Sequence, residues 1–351
     1  MLQISYKKHI FNFKRPAGTS RGVLNHKTSY HLTIWDSNNP EIKGYGECST
    51  IKGLSPDPWD DYEETLKEMQ KHPDPAEIWM NEGLKEFPSI RFGLETALLD
   101  LQRGGNQLLF PSDFTNGRTG IPINGLIWMG EPHFMQEQIR NKIKDGFRCI
   151  KLKIGAIDFN KELELLRLIR QDFNADELEL RVDANGAFSP NEAMEKLKQL
   201  AEFKIHSIEQ PIRQGQWDEM ARLCEKTPIP IALDEELIGL KTREDIRKMM
   251  KHIRPQHIVL KPSLLGGFSM AKLFVEEALY DHVGWWVTSA LEGNIGLNAI
   301  AQWTALLENT MPQGLGTGQL FTNNIPSPLF IENAQLNFDP EKAWNLDEIN
   351  A

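Results

Sequence analysis

The sequence predicts an α/β fold, a (β/α) barrel preceded by a separate α+β module, on three observations. From about Ile121 onward, short β-branched apolar runs alternate with amphipathic helical stretches, which is the pattern of βαβ units around a parallel sheet. Eight such runs can be counted, the number at which a parallel sheet closes into a ring. Residues 1 to about 115 have another texture, with strand-like runs first and helical stretches last. At 351 residues the chain is long enough for both units.

In chain order, the N-terminal module contains the alternating run His31-Leu32-Thr33-Ile34-Trp35 and ends in helical stretches near Tyr62–Met69 and Phe92–Leu101. Pro16-Ala17-Gly18-Thr19-Ser20-Arg21 and Gly53-Leu54-Ser55-Pro56 read as loops. The barrel runs are Ile121–Trp128, Cys149–Ile154, Leu178–Asp183, Ser207–Pro211, Pro230–Asp234, His257–Lys261, Gly284–Ser289 and a last one around Gly314–Gln319. Ser189-Pro190-Asn191-Glu192 is a capping box opening the helix Ala193–Ala201, and Thr242-Arg243-Glu244-Asp245 resembles it before Ile246–Met250. In the first crossover Ile139, Ile143 and Phe147 are spaced four apart on one helical face, and Gly146 sits where that helix should stop.

Hydrophobic residues make up 40% of the chain and charged residues 25%, a balance that lets a globular core form and leaves no room for extensive disorder. The net charge of -10 argues against a nucleic-acid footprint or an anionic membrane surface as partner. Met1–Lys14 lacks the apolar run of a signal peptide and no 18-residue apolar stretch follows, so a soluble, cytoplasmic protein is expected, and nothing speaks against a homo-oligomer. Cys48, Cys149 and Cys224 are far apart and without zinc spacing, and read as buried free thiols.

In a barrel of this kind the reactive groups sit at the carboxyl ends of the strands. The second run ends Lys151-Leu152-Lys153, the third Asp183-Ala184-Asn185, the fourth Glu209-Gln210-Pro211, the fifth Asp234-Glu235-Glu236 and the sixth Lys261-Pro262. Three carboxylates on successive strand ends repel one another unless a cation sits among them. Asp183, Glu209 and Asp234 are therefore candidate ligands of a hard divalent cation, Mg²⁺ or Mn²⁺, since all-oxygen ligation does not suit zinc. Any one of them alone would be read as a helix N-cap or a surface acid. All three at regular spacing, flanked by lysines, favour the metal. Glu235 and Glu236 compete with Asp234 for that role.

Lys151 and Lys153 lie two apart in a strand, so they face one side, where each raises the cost of protonating the other. A lysine lowered toward neutrality in this way can act as general base. Lys261 gains its interest from its place opposite the second strand of an eight-stranded ring. A proton next to a carboxylate is very weakly acidic, and a dication with flanking lysines makes its removal tolerable by stabilising the enediolate. A small-molecule carboxylate is the substrate class this predicts.

These residues together resemble the enolase superfamily and, within it, the muconate cycloisomerase-like subgroup. The resemblance implies a modified TIM barrel over residues 119–321, and an α+β capping domain over 1–118 that the tail 322–351 rejoins. The seventh run ends Thr288-Ser289-Ala290-Leu291-Glu292-Gly293 without a histidine, unlike a mandelate-racemase-like Lys/His pair. The eighth, Gly314-Leu315-Gly316-Thr317-Gly318-Gln319-Leu320, lacks the Asp-x-Asp of dipeptide epimerases and, with its Gly-Thr-Gly, is similar to the o-succinylbenzoate synthase branch. That similarity implies dehydration of 2-succinyl-6-hydroxy-2,4-cyclohexadiene-1-carboxylate to 2-succinylbenzoate in menaquinone biosynthesis. It makes Lys153 the base and then the acid that helps the β-hydroxyl leave from the same face. Lys261 stabilises the enediolate from the other face and Lys151 supports charge near the carboxylate. Asn185 and Glu235 are implied to support the metal ligands, and Ser289, Gly316, Thr317 and Arg21 to line the succinyl pocket. N-acylamino acid racemase, dipeptide epimerase and muconate-type cycloisomerase activities share this residue set, and a catalytically silent barrel used for binding is the alternative outside enzymes.

Three other signals carry less. Gly314-Leu315-Gly316-Thr317-Gly318 lacks the glycine spacing of a dinucleotide fingerprint and comes at the end of the series, so NAD is not expected. His206 precedes its strand and reads as a packing residue away from the reactive face. Trp285 and Trp286 are neighbours on a strand, so one faces the outer core and the other the barrel.

Overall fold

The computed structural model describes residues 1–19, 22–127 and 132–350. The N-terminal unit is an antiparallel sheet of β1 (Leu2–Thr19), β2 (Gly22–Asp36) and β3 (Asn39–Ser49) in that order. Alternation puts Ile4, Tyr30, Leu32, Ile34 and Cys48 on one buried face, against Ile90, Leu94 and Ala97 of the helix Pro88–Gln102. Two glycines make that approach close. A Cβ on Gly46 would lie 1.9 Å from the Gly93 carbonyl oxygen, and one on Gly93 would lie 2.4 Å from the Cys48 Sγ. The segment Pro16–Thr19, expected as a loop, is instead the end of β1, with Ala17, Gly18 and Thr19 paired to Leu24, Val23 and Gly22. The register shifts between Asn12 and Ala17, and this irregularity houses Pro16, which has no N–H to give the ladder. Ser20 and Arg21 lie outside the described residues.

The first barrel run divides in two. β4 (Ile121–Pro122) turns away to a small antiparallel sheet, and β5 (Gly125–Ile127) enters the barrel. Trp128 lies outside the described residues. The strands β6 (Cys149–Lys153), β7 (Glu179–Asp183), β8 (Ser207–Glu209), β9 (Ile231–Leu233), β10 (His257–Leu260) and β11 (Gly284–Val287) follow. They make one curled parallel sheet in the order β11-β10-β9-β8-β7-β6-β5. The small sheet is completed by β12 (Leu329–Glu332) and β13 (Gln335–Phe338), and β13 pairs with β4.

The expected eighth strand around Gly314–Gln319 is not a strand. Single bridges at Gln313 and Gly314 join Ile123 and Thr288, and a turn follows. Asn124 N donates to Gln313 O at 2.9 Å and Gly314 N to Val287 O at 2.8 Å, so two residues close the ring. The physical reason is the run's glycines, which offer no side chains to hold a strand. Gly314 is also needed for the closure, because a Cβ there would meet the Thr288 Oγ1 at 2.1 Å.

Helices cover the outside of the sheet. Both expected capping boxes are present, Ser189 with Glu192 opening Pro190–Ala201 and Thr242 with Asp245 opening Arg243–Ile253. The first crossover helix, Pro132–Lys144, ends before Gly146, whose φ is +90°. Ile139 is buried and Ile143 packs partly against the core, whereas Phe147 reaches that core from beyond the helix, from the chain leading into β6. Trp285 packs in the outer core, and Trp286 packs with Ala232 and Val259 with its ring 4.4 Å from the Arg181 guanidinium. The three cysteines are free and buried. Among the described residues no helix is long and apolar enough to cross a membrane.

The close packing of β3 on the helix Pro88–Gln102 yields a test. Gly46→Ala forces backbone apart where no flexible side chain can yield, and should cost about 1–3 kcal/mol or more. A lower urea midpoint at an unchanged denaturant slope is the expected result; an unchanged midpoint would show that the contact is looser than described.

Candidate active site

The six polar residues at five strand ends converge because parallel strands share a register. Lys151 pairs with Arg181, Lys153 with Asp183, and Asp183 with Glu209, while Asp234 and Lys261 follow directly on β9 and β10. Asp183, Glu209, Asp234, Lys151 and Lys261 are all buried, and Lys153 is half-buried. Lys151 Nζ donates to Glu209 Oε2 at 2.5 Å and lies 2.9 Å from Asp183 Oδ2. Lys153 Nζ donates to Asp183 Oδ2 at 2.6 Å and to Asn185 Oδ1 at 2.7 Å. Lys261 Nζ donates to Asp234 Oδ2.

These contacts correct one expectation. Lys151 was expected to be lowered by its neighbour Lys153. Burial does push its pKa down, but the charges of Asp183 and Glu209 outweigh that, and the net shift is upward. Lys261 follows the same logic, with burial opposed by Asp234 and Glu209 and a net rise. For Asp183, burial works upward but Lys151 and Lys153 hold the carboxyl well below the usual range. Glu209 goes the other way, raised by burial and by the charge of Asp183.

The supporting residues are built into the turns. Asn185 has a φ of +45°, donates its backbone N–H to Asp183 Oδ1 at 3.0 Å, and donates Nδ2–H to Glu235 Oε1 at 3.1 Å. Glu236 faces elsewhere, accepting from Gly215 N at 2.8 Å and from Gln210 Nε2 at 3.2 Å, whereas Asp234 accepts from Lys261. His206 stays at the amino end of β8, with Nδ1 3.0 Å from Ser207 Oγ.

Whether the residues suit a divalent cation can be asked of their chemistry. Among the described residues no three His, Cys, Asp or Glu groups converge as they stand into a ready cage, because ammonium groups hold the inner carboxylate oxygens. The donor set nevertheless suits a hard cation: three buried carboxylates on adjacent strand ends, with Glu209 Oε1 buried and without a hydrogen-bond partner among the described residues. The residues fit.

Above this cluster lies a cavity lined by Lys151, Lys153, Lys261, Asn185, Ser289, Gly316 and Thr317. Ser289 Oγ and Thr317 Oγ1 are 2.5 Å apart, so the seventh and eighth strand ends meet there. Of the expected lining residues only Arg21 lies outside the described residues. The sequence reading missed Ile51 and Leu54 of the N-terminal unit, and Asn124, Leu126, Trp286 and Leu291 of the barrel. A signal for Asn124 existed, a single polar side chain inside the apolar run Ile121–Ile127. The N-terminal loops gave none, because no local pattern tells which loop will overhang a barrel.

Gly155, just beyond β6, donates its N–H to Glu162 Oε1 at 2.7 Å, which ties the loop after Lys153 to the next helix. Burial pushes Glu162 up to about 7. The folded chain therefore keeps a proton that the unfolded chain releases near pH ~4.3, and this contribution to stability is lost as pH rises through about 7. Glu162→Gln should gain on wild type between those limits. Urea midpoints compared at the two ends of that range test it: a variant no better placed at the alkaline end than at the acid end would refute the assignment.

Comparison with known proteins points one way. The model of the family described as enolase C-terminal domain-like matches residues 135–340. An o-succinylbenzoate synthase of Desulfotalea psychrophila is 50% identical over 95% of this chain and 98% of its own length. The crystal structure of MenC from Desulfotalea psychrophila superposes with a TM-score of 0.86 at 47% identity, covering 96% of this chain and 99% of that one. A dipeptide epimerase from Cytophaga hutchinsonii, solved with Mg and the dipeptide D-Ala-L-Val, superposes with a TM-score of 0.84 at 21% identity over 99% of this chain and 97% of that one, a likeness of fold.

Proposed function

The chain belongs to the enolase C-terminal domain-like family and to its o-succinylbenzoate synthase branch, and we propose that it dehydrates 2-succinyl-6-hydroxy-2,4-cyclohexadiene-1-carboxylate to 2-succinylbenzoate, a step of menaquinone biosynthesis. The observation that carries this reading is one cavity with Lys153 on one wall and Lys261 on another, above Asp183, Glu209 and Asp234. β6 and β10 are four places apart in the curled sheet, so the two lysines reach the cavity from opposite sides.

Asp183, Glu209 and Asp234 would hold the dication, Mg²⁺ or Mn²⁺, with Asn185 and Glu235 behind them. When bound, it supplies the positive charge that makes a second negative charge on the substrate carboxylate tolerable. A dication there would share the carboxylates with Lys151, Lys153 and Lys261, and a lysine whose anionic partner is shared in this way would lose its proton more readily. Lys153 takes the α-proton as general base and, as the ammonium, returns a proton to the departing β-hydroxyl. Lys261 places its charge near the enediolate from across the cavity, and Lys151 near the carboxylate. Ser289, Thr317 and the backbone at Gly316 line the part of the cavity that takes the succinyl arm, to which Arg21 is also assigned. A dipeptide epimerase reading is disfavoured, because the turn Gly314–Leu320 contains no aspartate to hold an amino group.

The test is a product assay. Purified protein with Mg²⁺ should form 2-succinylbenzoate from the cyclohexadiene, and Lys153→Ala should lower the rate by roughly a hundredfold or more, as expected for a lost general base. Asp234→Ala should weaken Mg²⁺ or Mn²⁺ binding in a direct titration. Protein that makes no 2-succinylbenzoate yet racemises an N-acylamino acid would overturn the substrate assignment.

A further inference from the structure

The walls of the cavity come from the N-terminal unit and from the barrel, and a buried cation lies where the two meet. Lys27 of β2 is 5% exposed. Its Nζ donates to Ser29 Oγ at 2.9 Å and to Ser49 Oγ, and lies 3.8 Å from Glu47 Oε1. Glu47 and Glu292 are both fully buried. A glycine lets these two carboxylates approach one turn: a Cβ on Gly296 would lie 2.8 Å from Glu292 Cγ and 3.2 Å from Glu47 Oε2. Like charges so placed, away from water, need a counter-charge. Burial lowers the Lys27 pKa, and the charges of Glu47 and Glu292 both oppose that shift. His31 also faces Glu47, but burial pushes its pKa down to about 4, so at neutral pH it carries no charge and the compensation falls to Lys27.

Each member of this network also holds a piece of the active site. Ser49 stands two residues before Ile51, which lines the cavity. Glu47 accepts from Gly293 N at 2.8 Å and from Gly296 N at 3.0 Å. Glu292 accepts from Ala290 N at 2.8 Å, next to Ser289, and from Ser263 Oγ, two residues beyond Lys261. Ile51, Ser289 and Lys261 all line the one cavity.

We propose that Lys27 is a positioning residue of the active site: its charge, shared between Glu47 and Glu292, holds the wall at Ile51 and the strand ends at Ser289 and Lys261 in the arrangement that binds substrate. The proposal rests on the dehydration reading above and deepens it. Lys27 stands behind the cavity wall rather than in it, and exchanges no proton with the substrate. Without its charge, two buried carboxylates face one turn uncompensated. They separate, or one of them takes up a proton. Either response disturbs the hydrogen bonds to Gly293, Gly296 and Ala290, and with them the wall that meets the substrate.

The experiment is a double-mutant cycle on the full chain with Mg²⁺: wild type, Lys27→Met, Glu292→Gln and the two substitutions together. Met keeps the aliphatic stem of the lysine without its charge, and Gln removes one of the two anions, so the double variant regains the net charge of the wild type. KM for the cyclohexadiene and calorimetric affinity for 2-succinylbenzoate are measured where urea titration shows each variant folded. Lys27→Met should worsen both by about tenfold, and adding Glu292→Gln should recover about threefold or more, the size of a coupling between charges in one buried network. Effects that simply multiply across the cycle overturn the proposal, because a packing defect is not relieved by removing the charge of Glu292. A lower urea midpoint with unchanged KM and product affinity also overturns it, marking Lys27 as a stabilising residue alone. If Lys27→Met does not fold, the double variant decides: product affinity within about threefold of Glu292→Gln supports the role, and weaker binding or failure to fold refutes it. Wild-type enzyme that forms no 2-succinylbenzoate removes the dehydration reading itself, whereas an active wild type with an unaffected Lys27→Met removes this inference alone.

Discussion

Burying like charges together is the constraint on which the rest of this structure depends. Asp183, Glu209 and Asp234 are almost fully removed from solvent, and three anions in that setting are tolerable only with compensating positive charge. Lys151, Lys153 and Lys261 supply it through direct ion pairs. The partners are delivered by five neighbouring strand ends, with Lys151 and Lys153 both on β6, so the charge balance holds only when neighbouring strands keep their register. A slip of one residue in β6 would turn both Lys151 and Lys153 to the other face of the sheet. The same balance accounts for the upward shift of Lys151, because the charges nearest to it are anions rather than its fellow lysine.

A second buried charge system ties the N-terminal sheet to the barrel. Glu47 of β3 accepts from the backbone N–H groups of Gly293 and Gly296 at 2.8 and 3.0 Å, at the start of the helix that follows the seventh strand end. Lys27 lies 3.8 Å from Glu47, and Ser29 donates to the same carboxylate at 2.9 Å. Nearby, Glu292 accepts from Ser263 Oγ and from Ala290 N, so the segment carrying Ser289 is braced from below. Chain from the N-terminal unit, at Ile51 and Leu54, lines the cavity whose floor the barrel provides. The walls of the cavity are thus drawn from segments more than two hundred residues apart in sequence, and hydrogen bonds from Gly293 and Gly296 to the Glu47 carboxylate help join them.

Closure of the ring shows how little backbone the architecture needs at its weakest point. Gln313 and Gly314 do the work expected of a whole strand, and the glycines that prevent a strand also let the chain turn sharply above the cavity. Thr317 then comes within 2.5 Å of Ser289, and the meeting of these hydroxyls completes the polar side of the pocket.

The sequence alone determined the alternation of strands and helices, the capping boxes at Ser189 and Thr242, and the six charged residues at successive strand ends. These are legible because strand and helix periodicities and cap chemistry are local, and because a parallel barrel sends every strand's carboxyl end to the same mouth. Tertiary structure alone decided the rest. It split the run Ile121–Trp128 between two sheets, made Pro16–Thr19 part of a strand, and reduced the eighth strand to two bridging residues, since strand pairing is a contact between distant segments. It also decided that Lys151 pairs with two carboxylates, and that Asn124 lines the cavity together with Ile51 and Leu54. Charge environment and cavity walls depend on which distant residues arrive within a few ångströms, and no spacing along the chain encodes that distance.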